Sequence, residues 1–156
     1  MIVVSDTSPL RHLAALGLME LLPRLFSSPH CPTKVIAKCL HTSTPHQLRQ
    51  WADHLPDWLL VMGHSEWNDP CLDEIDPGKA SAIRLAHDLC ANVLLMDDQQ
   101  GRKAAQHLGF RVSGLIGILG DAASQGFVDF DALILQLKTE NKFLISDALI
   151  ESARPR

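Results

Sequence analysis

Short apolar runs of strand length alternate along this chain with stretches of helical spacing, and no turn of the Asn-Gly type joins one run to the next. That order predicts a parallel sheet whose strands are linked by helices and covered on both faces. The runs are Ile2-Val3-Val4, a weaker one at His30-Cys31 before Pro32, Trp58 to Met62, Val93-Leu94-Leu95-Met96, and Phe110 to Ser113. Ser8-Pro9 reads as a helix cap with proline at the first helical position, and Gly17 as the stop of that helix. A short helix from Leu18 to Leu22 is expected to end at Pro23, and others span Thr33 to Leu40 and open at Thr44-Pro45-His46-Gln47. Asp76-Pro77-Gly78 starts a long helix that Asn92 stops, and the preceding Gly63 to Cys71 is loop-like. Helices to Leu108, over Leu115 to Gln125 and over Asp131 to Thr139 follow, with a short terminal helix capped by Ser146-Asp147.

At 156 residues the length suits one domain, and 46% hydrophobic residues are enough to fill its core. The net charge of −4 disfavours a broadly basic nucleic-acid surface, which leaves a local basic rim as the way such a chain would meet phosphates. Cys31, Cys39, Cys71 and Cys90 lack paired spacing and read as reduced, mostly buried thiols. The groups Cys39, His41, His46 and His64, Cys71 do not have structural zinc spacing, so zinc is not expected. The N-terminus has no basic leader, and no run reaches the ~18 apolar residues of a membrane span. The expectation is a cytoplasmic protein.

Ligand sites of open parallel sheets lie beyond the carboxyl ends of the strands, where strand order reverses. Two runs here end on carboxylates, the first at Asp6 and the strongest at Asp97-Asp98. One aspartate alone reads better as a helix cap. Two strand ends together point to a site, and clustered carboxylates call for a hard cation such as Mg²⁺ or Mn²⁺.

These residues resemble a known family. Val3-Val4-Ser5-Asp6-Thr7-Ser8 is similar to the opening of PIN-domain (VapC-type) nucleases. A PIN-like branch of unknown function, associated with bacterial toxin–antitoxin loci, resembles the chain more closely. It shares the order of Ile75-Asp76-Pro77-Gly78-Lys79-Ala80, then Leu94-Leu95-Met96-Asp97-Asp98-Gln99-Gln100-Gly101-Arg102, then Gly114-Leu115-Ile116-Gly117, then Phe143-Leu144-Ile145-Ser146. The resemblance implies a three-layer α/β/α domain over residues 1–156 with about five parallel strands. It implies a Mg²⁺- or Mn²⁺-dependent endoribonuclease, a hydrolase in which carboxylates hold metal that activates water. Asp6, Asp97 and Asp98 would be the catalytic and metal-binding acids, with the choice between the last two open. Thr7, Ser8 and Arg102 would support the site or touch substrate. RNA, an antitoxin-like protein and a second copy of the chain are the implied partners.

Two positions depart from that pattern. The family's helix-borne glutamate falls on Lys38 and the glutamate of its Gly-Glu pair on Lys79. Lys79 breaks a local rule as well. With Asp76 as cap it takes the third helical position, where an acid would complete a capping box, and a lysine costs about 0.3–1 kcal/mol. An exposed lysine reaching into water is the bland reading. The sharper one is that the two ammoniums stand where a metal would be held and neutralise the acids. The alternative to an active nuclease is then a catalytically inactive PIN-like binding module.

Other features carry less. Lys103, Arg11, Arg84 and Arg111 read as solvated helix faces rather than phosphate contacts. Trp51 and Trp58 read as core or dimer contacts, and Trp67 as the better surface candidate for stacking a base. Asp6-Thr7-Ser8 is similar to the nucleophile turn of haloacid-dehalogenase-like phosphatases but lacks their second aspartate. There is no Gly-rich phosphate loop after the first run, and no Ser-His-Asp constellation.

Overall fold

The computed structural model describes residues 1–140 and 145–155, so Phe143 and Leu144 of the last shared segment lie outside the described residues. Two compact units divide the chain, Met1–Ser113 and Gly114–Arg156.

The first unit carries five parallel strands: β1 (Ile2–Ser5), β2 (Ser28–Pro32), β3 (Leu60–Met62), β4 (Val93–Leu95) and β5 (Val112–Ser113). Their order is β3-β2-β1-β4-β5. The chain steps outward from β1 through β2 to β3, then returns to pair β4 with the other side of β1. Strand order therefore reverses between β1 and β4, the two strands whose ends carry Asp6 and Asp97. Right-handed crossovers running in opposite directions put their helices on opposite faces of the sheet. Those helices are α1 (Thr7–Leu16), α2 (Leu21–Leu25), α3 (Thr33–Cys39), α4 (His46–Asp53), α5 (Pro77–Leu89) and α6 (Gln99–His107), with a 3₁₀ turn at Pro70–Glu74. The three-layer α/β/α class follows.

Side-chain alternation sorts the core. Val4, Leu94 and Met96 share one buried cluster with Ala82, Ile83, Leu85 and Ala86 of α5 and Ala104 and Ala105 of α6. The even-numbered positions of β1 and β4 thus face α5.

Several element ends differ from the sequence expectation. α1 begins at Thr7 with Asp6 at the cap position, so Pro9 is its third residue and Ser8 is not the cap. α2 contains Pro23 instead of ending at it. Both prolines sit in a first turn, where the missing N–H has no intrahelical acceptor to lose. α5 stops at Cys90, which takes a left-handed conformation (φ 50°). Asn92 instead accepts the Ile2 backbone N–H at 2.8 Å and ties down the start of β1. β3 is shorter than the Trp58 to Met62 run. Cys31 and Cys39 are buried, Cys71 is half-buried and Cys90 exposed, all as free thiols.

The second unit holds α7 (Leu115–Ser124), α8 (Phe130–Thr139) and α9 (Asp147–Ala153). Within it α7 and α9 meet closely: a Cβ at Gly120 would lie 2.2 Å from the Ala153 carbonyl oxygen. Ser146 caps α9 through the Leu149 backbone N–H at 3.2 Å. No described helix is long and apolar enough to cross a membrane.

Candidate functional site

Asp6 follows Val4 by two residues and so faces α5, at the carboxyl end of the central strand. Its backbone N–H donates to the Leu95 carbonyl at 2.9 Å, which continues the β1–β4 ladder one step past β1. Only 1% of Asp6 is exposed. Among the described residues neither carboxylate oxygen has a hydrogen-bond partner. Asp6 occupies the cap position of α1 without making the cap bond, so the capping reading fails for this aspartate. Burial raises its pKa above 3.8, and this outweighs the nearby Thr7 amide and the ammoniums of Lys79 and Lys38 that favour the anion. The Asp76 carboxylate pushes in the same direction as burial. Thr7 Oγ1 is likewise buried without a partner among the described residues, and Ser8 is half-buried.

Asp76 and Lys79 belong to one short stretch. Asp76 caps α5 by accepting the Gly78 N–H at 2.8 Å, with Pro77 as first helical residue and Lys79 as third. Lys38 reaches across from α3 and donates to both Asp76 oxygens, at 3.2 and 3.3 Å. Burial opposes ionisation of Asp76, but Lys38, the Gly78 N–H and Lys79 together hold its pKa below 3.8. The stem of Lys79 lies beside Gly101 of α6, where a Cβ would be 3.3 Å from Lys79 Cδ and 2.3 Å from Met96 Sδ. Gly101 therefore leaves the room in which both side chains rest.

The two acids after β4 go elsewhere. Asp98 caps α6, accepting the Gly101 N–H at 2.8 Å, which is the structural role that Asp6 does not take. Asp97 is odd-numbered, and its charge acts on His12 of α1. Burial lowers the His12 pKa; Asp97 opposes that shift and Arg11 adds to it. Strand parity thus directs Asp6 toward α5, whereas the charge of Asp97 reaches His12 of α1. Arg102 donates to the Met96 carbonyl at 3.0 Å and so borders the end of β4. Arg11 also acts on the buried Cys39 thiol, whose pKa burial pushes up to about 11.

The grouping on the α5 side is therefore Asp6, Asp76, Lys38 and Lys79, two carboxylates facing two ammoniums. Among the described residues no three His, Cys, Asp or Glu side chains are placed to hold a metal ion. The donor set does not fit the Mg²⁺ or Mn²⁺ that the family resemblance implies. The sequence missed Asp76 and His12 as members of the region. Asp76 was legible as a cap three residues before Lys79, whose ammonium acts on it. For His12 the sequence carried no signal.

Trp67 is half-buried and stacks on His87 of α5, with ring centroids 3.7 Å apart and planes 4° from parallel. One of its faces is thus covered by His87, and the ring is half-buried rather than fully at the surface. Arg84 donates to the Trp67 carbonyl and the Asn68 side chain, so it is a loop anchor. Trp51 and Trp58 pack on each other at 6.3 Å.

A structural neighbour is a PilT N-terminus domain protein, SSO1118, from the hyperthermophilic archaeon Sulfolobus solfataricus P2. The match has a TM-score of 0.54 and 14% identity, and covers 78% of this chain and 93% of that one. This likeness supports the fold alone. No curated protein matches the sequence. The model of the PIN-domain family DUF3368 matches residues 2–156, and a match of that extent assigns the chain: it belongs to this PIN-domain family, with a generally nuclease-related fold.

Proposed function

We propose that this protein is an RNA-directed PIN protein of toxin–antitoxin type whose nuclease site is partly degenerate, binding RNA without metal-dependent hydrolysis. The carrying observation is the company of Asp6: a buried carboxylate at the strand end, answered by Lys79 and Lys38 instead of further acids. An endoribonuclease of the two-metal or one-metal kind needs carboxylates to hold its cation, and here a basic pair takes their part. Lys38, Lys79, Arg11 and Arg102 gather near the carboxyl ends of β1 and β4 in a chain of net charge −4. That local basic rim suits phosphate contacts. An antitoxin-like protein and a second copy of the chain are the partners that the family resemblance suggests, and a cytoplasmic setting belongs to the same reading.

The test is fluorescence anisotropy with a labelled single-stranded RNA across a salt series, run beside a cleavage assay with Mn²⁺, Mg²⁺ or EDTA. Binding that weakens with salt, weakens further in Lys38→Ala/Lys79→Ala, and brings no cleavage supports the proposal. Divalent-dependent cleavage that Asp6→Asn abolishes would establish the endoribonuclease reading in its place. Absence of RNA binding would overturn both.

A further inference from the structure

The carboxyl end of β1 holds a buried carboxylate whose oxygens have no hydrogen-bond partner among the described residues, beside a lysine whose stem lies against a glycine. Asp6 is 1% exposed and faces α5, and among the described residues neither of its oxygens is hydrogen-bonded. Asp76 is already engaged twice, by Lys38 and by the Gly78 N–H. Lys79 stands three residues beyond Asp76, its charge acts on both Asp76 and Asp6, and its stem lies beside Gly101. Both lysines act on Asp6, Lys79 the more strongly, and since Lys38 is also tied to Asp76, Lys79 is the main cation that answers Asp6.

From this geometry we infer that Lys79 is a tethered counter-ion occupying a latent divalent-cation site, and that its ammonium alone keeps Mg²⁺ or Mn²⁺ out. The inference rests on the reading of this strand end as a refilled nuclease site. The charges show why one residue suffices. Asp6 and Asp76 supply two negative charges, Lys38 and Lys79 two positive ones, and the set is neutral. Lys79→Glu turns it to a net charge of −2 and places three carboxylates, at positions 6, 76 and 79, around one space. Hard divalent ions are held by such oxygen sets, and Asp6 brings two buried oxygens that no side chain among the described residues engages by a hydrogen bond. Lys38→Gln, by contrast, frees Asp76 but leaves the Lys79 ammonium in place, so it opens no site.

The experiment is a thermal melt of the full chain with MnCl₂ titrated against EDTA. Wild type and Lys38→Gln are expected to show no Mn²⁺-dependent rise. Lys79→Glu is expected to rise by about 5–10 °C when Mn²⁺ reaches 100 times its dissociation constant. Asp6→Asn/Lys79→Glu is expected to lose that rise. A response in wild type equal to that of Lys79→Glu, a flat Lys79→Glu, or a rise that survives Asp6→Asn would each overturn the inference. Should Lys79→Glu not fold even with Mn²⁺, Lys79→Gln decides: a smaller rise that Asp6→Asn removes supports the inference, and a flat melt overturns it. These outcomes are independent of RNA binding, so failure here leaves the anisotropy test of the proposed function standing.

Discussion

Asp6→Asn is expected to stabilise this protein at neutral pH. The folded-state pKa of Asp6 is raised above 3.8, with burial as the largest cause. In the window from 3.8 up to the raised value the folded chain binds more protons than the unfolded one. Stability then falls as pH rises through that window, and above it the full cost of the buried anion is felt. Each unit of elevation costs about 1.4 kcal/mol at 25 °C. The attraction of Lys79 and Lys38 is already included in the net direction, so Asn removes a cost without losing a larger gain. In a chain of this size each kcal/mol moves the melting midpoint by about 2–4 °C, so one unit of elevation predicts a rise of about 3–6 °C. Urea denaturation in EDTA at pH 4.5, 6.0 and 7.5 measures it. The stability difference between variant and wild type should widen with pH. A variant less stable at pH 7.5, or a difference that narrows as pH rises, refutes the reasoning, because either would mean that the fold favours the Asp6 anion.

Four further outcomes follow from particular contacts. Gly120→Ala should destabilise by about 1–3 kcal/mol, because the added methyl meets the Ala153 carbonyl and α9 must shift; a chemical melt at or above wild-type stability would contradict this. Asp98→Ala should lose about 1 kcal/mol by removing the α6 cap while leaving RNA affinity unchanged, and an affinity loss by anisotropy would assign Asp98 to the site. Lys38→Ala should change stability by no more than about 1 kcal/mol, since its pair with Asp76 is half-exposed; urea melts at low and high salt check it. Gly101→Ala should cost about 1–3 kcal/mol by crowding fully buried Met96, and a neutral result in the same melts would show that Met96 and Lys79 can move aside.

Much of the frame was legible in the sequence because its signals are local. The apolar runs ending at Asp6 and Asp97, the Asp76-Pro77 start and the third-position Lys79 all depend on neighbours in the chain. The parallel order follows from the alternation itself. The composition of the site was harder to read, because it depends on parity and on register. Asp6 and Asp97 both follow strands, yet with Ser5 opposite Leu95 it is Met96, not Asp97, that comes level with Asp6. Asp98 is separated from Asp97 by its bond to Gly101, a distinction the pair Asp-Asp does not announce. The Lys38–Asp76 pair spans 38 residues of sequence, and no pattern in either segment names the other. Pro9 and Pro23 mark neither a helix start nor a stop, because proline is tolerated throughout a first turn.

The stacking of Trp67 on His87 bears on how this protein comes apart. The connection after β3 is fastened to α5 rather than to its own strand. Ser65 donates its backbone N–H and hydroxyl to Asp88 at 2.5 and 2.6 Å, and Arg84 holds the Trp67 carbonyl and Asn68. β3 itself is a three-residue edge strand whose Leu60 and Met62 are exposed. Peeling β3 from β2 therefore leaves the connection in place, a stiff arm on the helix with a loose strand at its base. Hydrogen exchange would proceed through Leu60–Met62 well before the Ser65 amide, so that a segment without regular structure outlasts a strand of the sheet.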